Sequence, residues 1–129
     1  MGLTKGIHHV HVKCKPEQNE EVLRFYRDTL GLEVYSVHGE STILGSGGEG
    51  VVEVFCDAEE TLGQGDIRHF AFAVDNVDEC IKTVEAAGYK IKEYPVNVMF
   101  GLKEDTPARI AFCYGALGEE IEFFQVRKA

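Results

Sequence analysis

The chain has 129 residues, 44% of them apolar, and its 13 lysines and arginines stand against 22 acidic residues for a formal charge of −9. That length supports one domain, or two small half-domains sharing a core, and the negative charge repels nucleic-acid phosphates and anionic lipid surfaces. No apolar run approaches the ~20 residues of a membrane span and Met1–Gly6 has no apolar segment of the signal-peptide kind, so a cytoplasmic protein is expected.

In chain order, residues 7–14 alternate, with Val10 and Val12 on one side and His9, His11 and Lys13 on the other, as in a strand with one face on an apolar layer. A helix follows. Pro16 suits a first turn, Glu17, Glu20 and Glu21 favour its positive end, Val22, Leu23, Phe25, Tyr26 and Leu30 form the stripe, and Gly31 stops it. Three short strands are expected at about 32–38, 40–45 and 50–56, then a polar linker over 59–65.

The second half runs the same way. Residues 69–74 alternate with Phe70, Phe72 and Val74 on one side, and Asn76 with Glu79 forms a capping pair for a helix whose stripe is Val77, Cys80, Ile81, Val84 and Ala87, ended by Gly88. Strands are expected at about 89–95, 108–114 and 119–126, separated by a less regular stretch, 96–107, whose Met99, Phe100, Gly101 and Leu102 suggest a loop walling a pocket. The pattern is therefore α+β, with two tandem βαβββ modules at about 7–57 and 67–126. Cys14, Cys56, Cys80 and Cys113 lack Cys-x-x-Cys spacing and read as reduced small hydrophobes.

Alternation decides what faces away from the helices. If Val10 and Val12 pack inward, His9 and His11 do not; if Val52 and Val54 pack inward, Glu53 and Phe55 do not. His69, Glu122 and Phe124 follow the same logic in the second module. A carboxylate set among apolar strand residues is costly unless neutralised. Two imidazoles and two carboxylates around a divalent cation meet that cost, so His9, Glu53, His69 and Glu122 are expected to hold zinc, nickel, cobalt or manganese. His11, on the face of His9, is a candidate to touch substrate or relay a proton.

The segments Ile7-His8-His9-Val10, Phe25-Tyr26-Arg27-Asp28-Thr29-Leu30-Gly31-Leu32, His69-Phe70-Ala71-Phe72-Ala73-Val74 and Gly118-Glu119-Glu120-Ile121-Glu122-Phe123-Phe124-Gln125 resemble the vicinal oxygen chelate superfamily. That superfamily includes glyoxalase I, methylmalonyl-CoA epimerase, extradiol dioxygenases, and fosfomycin and bleomycin resistance proteins. The resemblance implies a curved, cup-like mixed sheet with helices on its outer face, and metal ligands from the first and fourth strand of each module. The His, Glu, His, Glu set looks like the glyoxalase I (lactoylglutathione lyase) branch, whereas dioxygenases and fosfomycin-modifying enzymes generally use two His and one Glu.

Such a resemblance implies a metal-dependent lyase or isomerase that moves a proton between adjacent carbons of a vicinal-oxygen substrate, such as a hemithioacetal. Zinc or nickel would be the metal, or iron in a dioxygenase, with Glu122 or Glu53 as the base and a homodimer as the assembly. His11, Lys13, Phe55, Phe100 and Phe124 would contact the substrate, a small molecule possibly carrying a thiol adduct. Lys13 stands where glyoxalase I has an arginine that helps hold glutathione, and Asp57 where it has asparagine, so the thiol differs or is held differently. The alternatives are a related epimerase or dioxygenase, or a non-enzymatic module that sequesters a drug.

Overall fold

A computed structural model describes residues 7–61, 65, 67–101 and 105–128. The segment Met1–Gly6, part of the linker expected over 59–65, and Leu102 of the apolar stretch lie outside them. The chain divides into two compact units, Met1–Leu62 and Gly63–Ala129. Each has one four-stranded mixed sheet with a helical segment after its first strand, an α+β arrangement.

In the first unit β1 (His9–Lys13) lies parallel to β4 (Val51–Phe55), and β3 (Ser41–Gly45) and β2 (Glu33–His38) continue the sheet antiparallel, in the order β1-β4-β3-β2. Between β1 and β2 the chain makes a 3₁₀ turn, Pro16–Gln18, an α-helical stretch, α1 (Asn19–Leu23), and a π-helical segment, Arg24–Thr29. The widened last turn is visible where the Leu30 amide donates to Phe25 O at 3.0 Å. It swings Phe25 and Tyr26 fully into the core beside Val22, and these side chains with Val52 and Val54 form the buried face. Gly31, at φ +81°, then reverses the chain in a conformation that costs other residues a steric clash.

The second unit repeats the order as β5-β8-β7-β6, with β5 (His69–Ala73) parallel to β8 (Glu120–Val126) and β7 (Asp105–Tyr114) and β6 (Ile91–Gly101) antiparallel. Its helix α2 (Val77–Ala86) begins as expected, since the Asn76 side chain accepts from the Glu79 amide at 3.1 Å. Gly88, at φ +94°, ends it. Val77, Ile81 and Val84 are buried with Ile121, Phe123 and Ala111 of the sheet. Arg109 of β7 grips Asp78 of α2 through two bonds, Nε to Oδ2 at 2.7 Å and Nη2 to Oδ1 at 2.8 Å, and the Val77 amide donates to Gln125 Oε1 at 2.9 Å.

One expectation is overturned. The described residues of 96–107 are strand and not loop: β6 and β7 pair through Met99 with Pro107, Phe100 with Thr106 and Gly101 with Asp105. Residues that disfavour strands stand here where strands tolerate them. Asp105 and Pro107 are at the start of β7, and Pro95 lies where the register of edge strand β6 shifts between Glu93 and Val96. All four cysteines are free thiols, as expected; Cys14 in the first unit and Cys113 in the second are buried. No helix among the described residues is long and apolar enough to cross a membrane.

Candidate functional site

Both units carry a histidine and a glutamate side by side on their parallel strand pair. In the first, the inner-face residues Val52 and Val54 are buried while Val51, Glu53 and Phe55 on the other face are half-exposed, the alternation the sequence predicts. Glu53 lies directly opposite His11 in the parallel register, and His9 is opposite Val51. The His11 Nδ1–H accordingly donates to Glu53 Oε1 at 2.9 Å, and Ser41 Oγ, buried at the start of β3, donates to Oε2 at 3.0 Å. These two bonds, His11's the stronger influence, hold the Glu53 carboxyl below its ordinary value. His9 Nδ1 lies 3.0 Å from His8 Nδ1, and His9 adds a smaller downward influence on Glu53.

In the second unit the equivalent positions are His69 and Glu122, and the residue opposite Glu122 is Ala71. His69 reaches diagonally, bringing Nε2 to 3.1 Å from Glu122 Oε1. Glu122 is 7% exposed, more enclosed than the open-face position predicts. Phe112 lies opposite it on β7 and packs edge-on against His69, ring centroids 5.0 Å apart. Burial raises the Glu122 carboxyl above its ordinary value, His69 opposes the shift, and Glu93 adds to it.

The substrate-contact candidates divide between the units. His11 stacks on Phe55 with ring centroids 5.6 Å apart, and Lys13 pairs with Asp57 at 3.2 Å. Phe100 and Phe124 meet edge to face at 4.9 Å. An open depression of about 620 Å³ at the ends of β5 and β8 includes Phe124 but neither His69 nor Glu122, so its chemistry is not theirs.

Sequence reasoning missed Ser41 and Glu120. Ser41 gave no signal beyond being a polar residue at a strand start. Glu120 did give one: it lies two residues before Glu122, hence on the same face, and it is buried with Lys92 Nζ at 2.8 Å and Arg68 Nη2 at 3.5 Å.

Within either unit, no three His, Cys, Asp or Glu side chains among the described residues cluster as a metal cage. What each unit offers is a pair, and the pairs suit a divalent ion. The His69–Glu122 and His11–Glu53 separations, 3.1 and 2.9 Å, are hydrogen-bond contacts. Imidazole nitrogen and carboxylate oxygen are also the donors that zinc, nickel, cobalt and manganese accept.

The profile of the Glyoxalase/Bleomycin resistance protein/Dioxygenase superfamily matches residues 7–123. No curated protein matches the chain at a significant level. Among solved structures, a glyoxalase/dioxygenase from Nostoc punctiforme is 18% identical with a TM-score of 0.75, covering 96% of this chain and 92% of its own. A glyoxalase family protein from Enterococcus faecalis is 20% identical at TM-score 0.68, covering 93% and 97%. TnmS3, an antibiotic binding protein from Streptomyces sp. CB03234, is 17% identical at TM-score 0.73, covering 98% and 100%. At these identities the structures establish the shared fold. With the profile spanning most of its length and both units built as βαβββ, the chain belongs to the glyoxalase, bleomycin resistance protein and dioxygenase superfamily.

Proposed function

We propose that this protein is a metal-dependent lyase or isomerase of the glyoxalase I type, cytoplasmic and homodimeric, that moves a proton between adjacent carbons of a small vicinal-oxygen substrate. The observation that carries the reading is the recurrence, in each unit, of a first-strand histidine and a fourth-strand glutamate on the parallel strand pair, His9 with Glu53 and His69 with Glu122. His9 and Glu53 from a unit of the first kind and His69 and Glu122 from one of the second would hold the ion, two neutral and two negative donors matching its charge. When bound, a divalent ion supplies Lewis acidity for charge developing on the substrate oxygens.

The chain's own groups divide the remaining work. Glu53, kept acidic by His11 and Ser41, stays ionised and serves as a fixed donor. Glu122, made more basic by burial, takes the proton from one carbon and returns it to the next, with His69 as its neighbour. Phe55, Phe100 and Phe124 supply apolar surface for the substrate's body, and Lys13 is a cation for an acidic group on it.

A second reading, a module that sequesters a small molecule without turning it over, is favoured by the aromatic contacts beside these residues and by the fold shared with TnmS3. Elemental analysis of the purified protein separates the readings. About one equivalent of nickel, zinc, cobalt or manganese per site, lost in a Glu122→Gln, His69→Ala variant, supports the enzyme. Loaded protein that turns over no hemithioacetal of methylglyoxal, with glutathione or another thiol, removes the lyase assignment. Bound iron with oxygen consumption indicates a dioxygenase, and ligand binding that survives chelation indicates the sequestering module.

A further inference from the structure

The two units hold their carboxylates through different groups: His11 and Ser41 bond Glu53, whereas His69 lies beside Glu122. Strand register explains the difference. His9 and His69 occupy the same place in their sheets, first in the strand and two residues before the position opposite the glutamate. That opposite position is His11 in one unit and Ala71 in the other. The first unit thus presents two imidazoles on the Glu53 face, and the second presents one on the Glu122 face.

His11 is braced for holding. Its ring lies within 21° of parallel to the Phe55 ring, which fixes the plane from which Nδ1–H donates, and Ser41 engages the other carboxylate oxygen from a buried site. Both oxygens of Glu53 therefore have a protein donor. Each oxygen keeps a second lone pair, so a carboxylate held in this way still presents acceptor capacity to a cation. A carboxylate whose rotation is stopped by neighbouring donors loses less freedom on binding an ion than one that must be ordered at that moment.

We propose that His11 and Ser41 are positioning residues that fix the Glu53 carboxylate for a divalent ion, with His9 the imidazole ligand of that unit. The assignment rests on the metal-dependent reading above, and it takes His11 away from substrate contact. Ser41 is the lesser hold, because it is a neutral hydroxyl without the stacked ring that fixes His11. The alanine opposite Glu122 means the second unit lacks the His11 part of this device.

Calorimetric titration of the metal-free protein with zinc and with nickel tests the assignment. His11→Ala should weaken affinity by about 10- to 100-fold at unchanged stoichiometry, Ser41→Ala by less, and His11→Gln, whose amide can still donate, should recover part of the loss. His9→Ala should abolish the site. Affinity of His11→Ala within about two-fold of the parent overturns the inference while leaving metal binding intact. So does His11→Ala losing the ion while His9→Ala keeps it, since His11 would then be a ligand. Parent protein that binds neither ion overturns the metal-dependent reading, and this assignment with it. Nitrogen NMR of the metal-free parent gives a readout independent of any variant's folding: Nδ1 of His11 must carry the proton, and a proton on Nε2 alone sinks the idea.

Discussion

The two units are built on one plan and differ most in how they treat the glutamate of the fourth strand. Glu53 is half-exposed and held by two donors, while Glu122 is buried and approached by one histidine. Opposite shifts follow, downward for Glu53 and upward for Glu122. Repeating a fold twice thus supplies the same residue type in two chemical states, one suited to staying charged and one to exchanging a proton.

The largest expected effect lies on the helix-packed face of the sheet. Phe123→Ala empties a fully buried position and should cost about 3–5 kcal/mol in denaturant unfolding, far more than Glu122→Gln on the opposite face of β8. If Glu122→Gln costs as much, the contrast between the helix-packed face and the Glu122 face is wrong. Next come the helix stops. Gly31→Ala and Gly88→Ala force a side chain into positive φ, and each should cost about 1–2 kcal/mol, by the same amount if the units really share this device.

The carboxylates give a smaller effect of opposite sign. Glu122 has a folded value above its unfolded one, so its contribution to stability is full below pH 4.5 and is lost as pH rises through the raised value. Glu53 is the reverse: its contribution is present above pH 4.5 and lost as pH falls through the lowered value. Metal-free Glu122→Gln should therefore melt above the parent at neutral pH, by about 1 kcal/mol or less, with the gap closing in acid. A gap that widens in acid would reverse the assignment. The finest test is Ala71→His, which gives Glu122 the opposite partner that His11 is to Glu53. Carboxyl NMR titration should show Glu122 moving down, and an unmoved Glu122 would mean that register does not set the difference.

Much of this was readable from residue spacing because alternation is a strict geometric rule. Val52 and Val54 against Glu53, Asn76 as a cap, and Gly31 and Gly88 as stops each follow from one local preference. The same rule puts His69 and Glu122 of the second unit on one face, though not their contact along it. What alternation leaves open is position along a face. His9 and His11 share a side, and only the pairing of β1 with β4 brings His11 opposite Glu53. The β6–β7 hairpin escaped for another reason: Asp105 and Pro107 are turn formers, and they stand at a strand's first residues, paired with Gly101 and Met99 just before them. The widened turn at Arg24–Thr29 has no local marker at all.

Each unit also encloses one cysteine, Cys14 in the first and Cys113 in the second, and burial pushes the Cys113 thiol up to about 12. An alkylating reagent attacks the thiolate and must reach the sulfur. Both thiols are therefore shielded until their own sheet opens, whereas Cys56 and Cys80 are only partly covered. Mass spectrometry of peptides from a timed iodoacetamide reaction would then report two opening rates from one unmodified protein, Cys14 timing one half and Cys113 the other. The chain carries its own pair of clocks for whether its two halves come apart together or in turn.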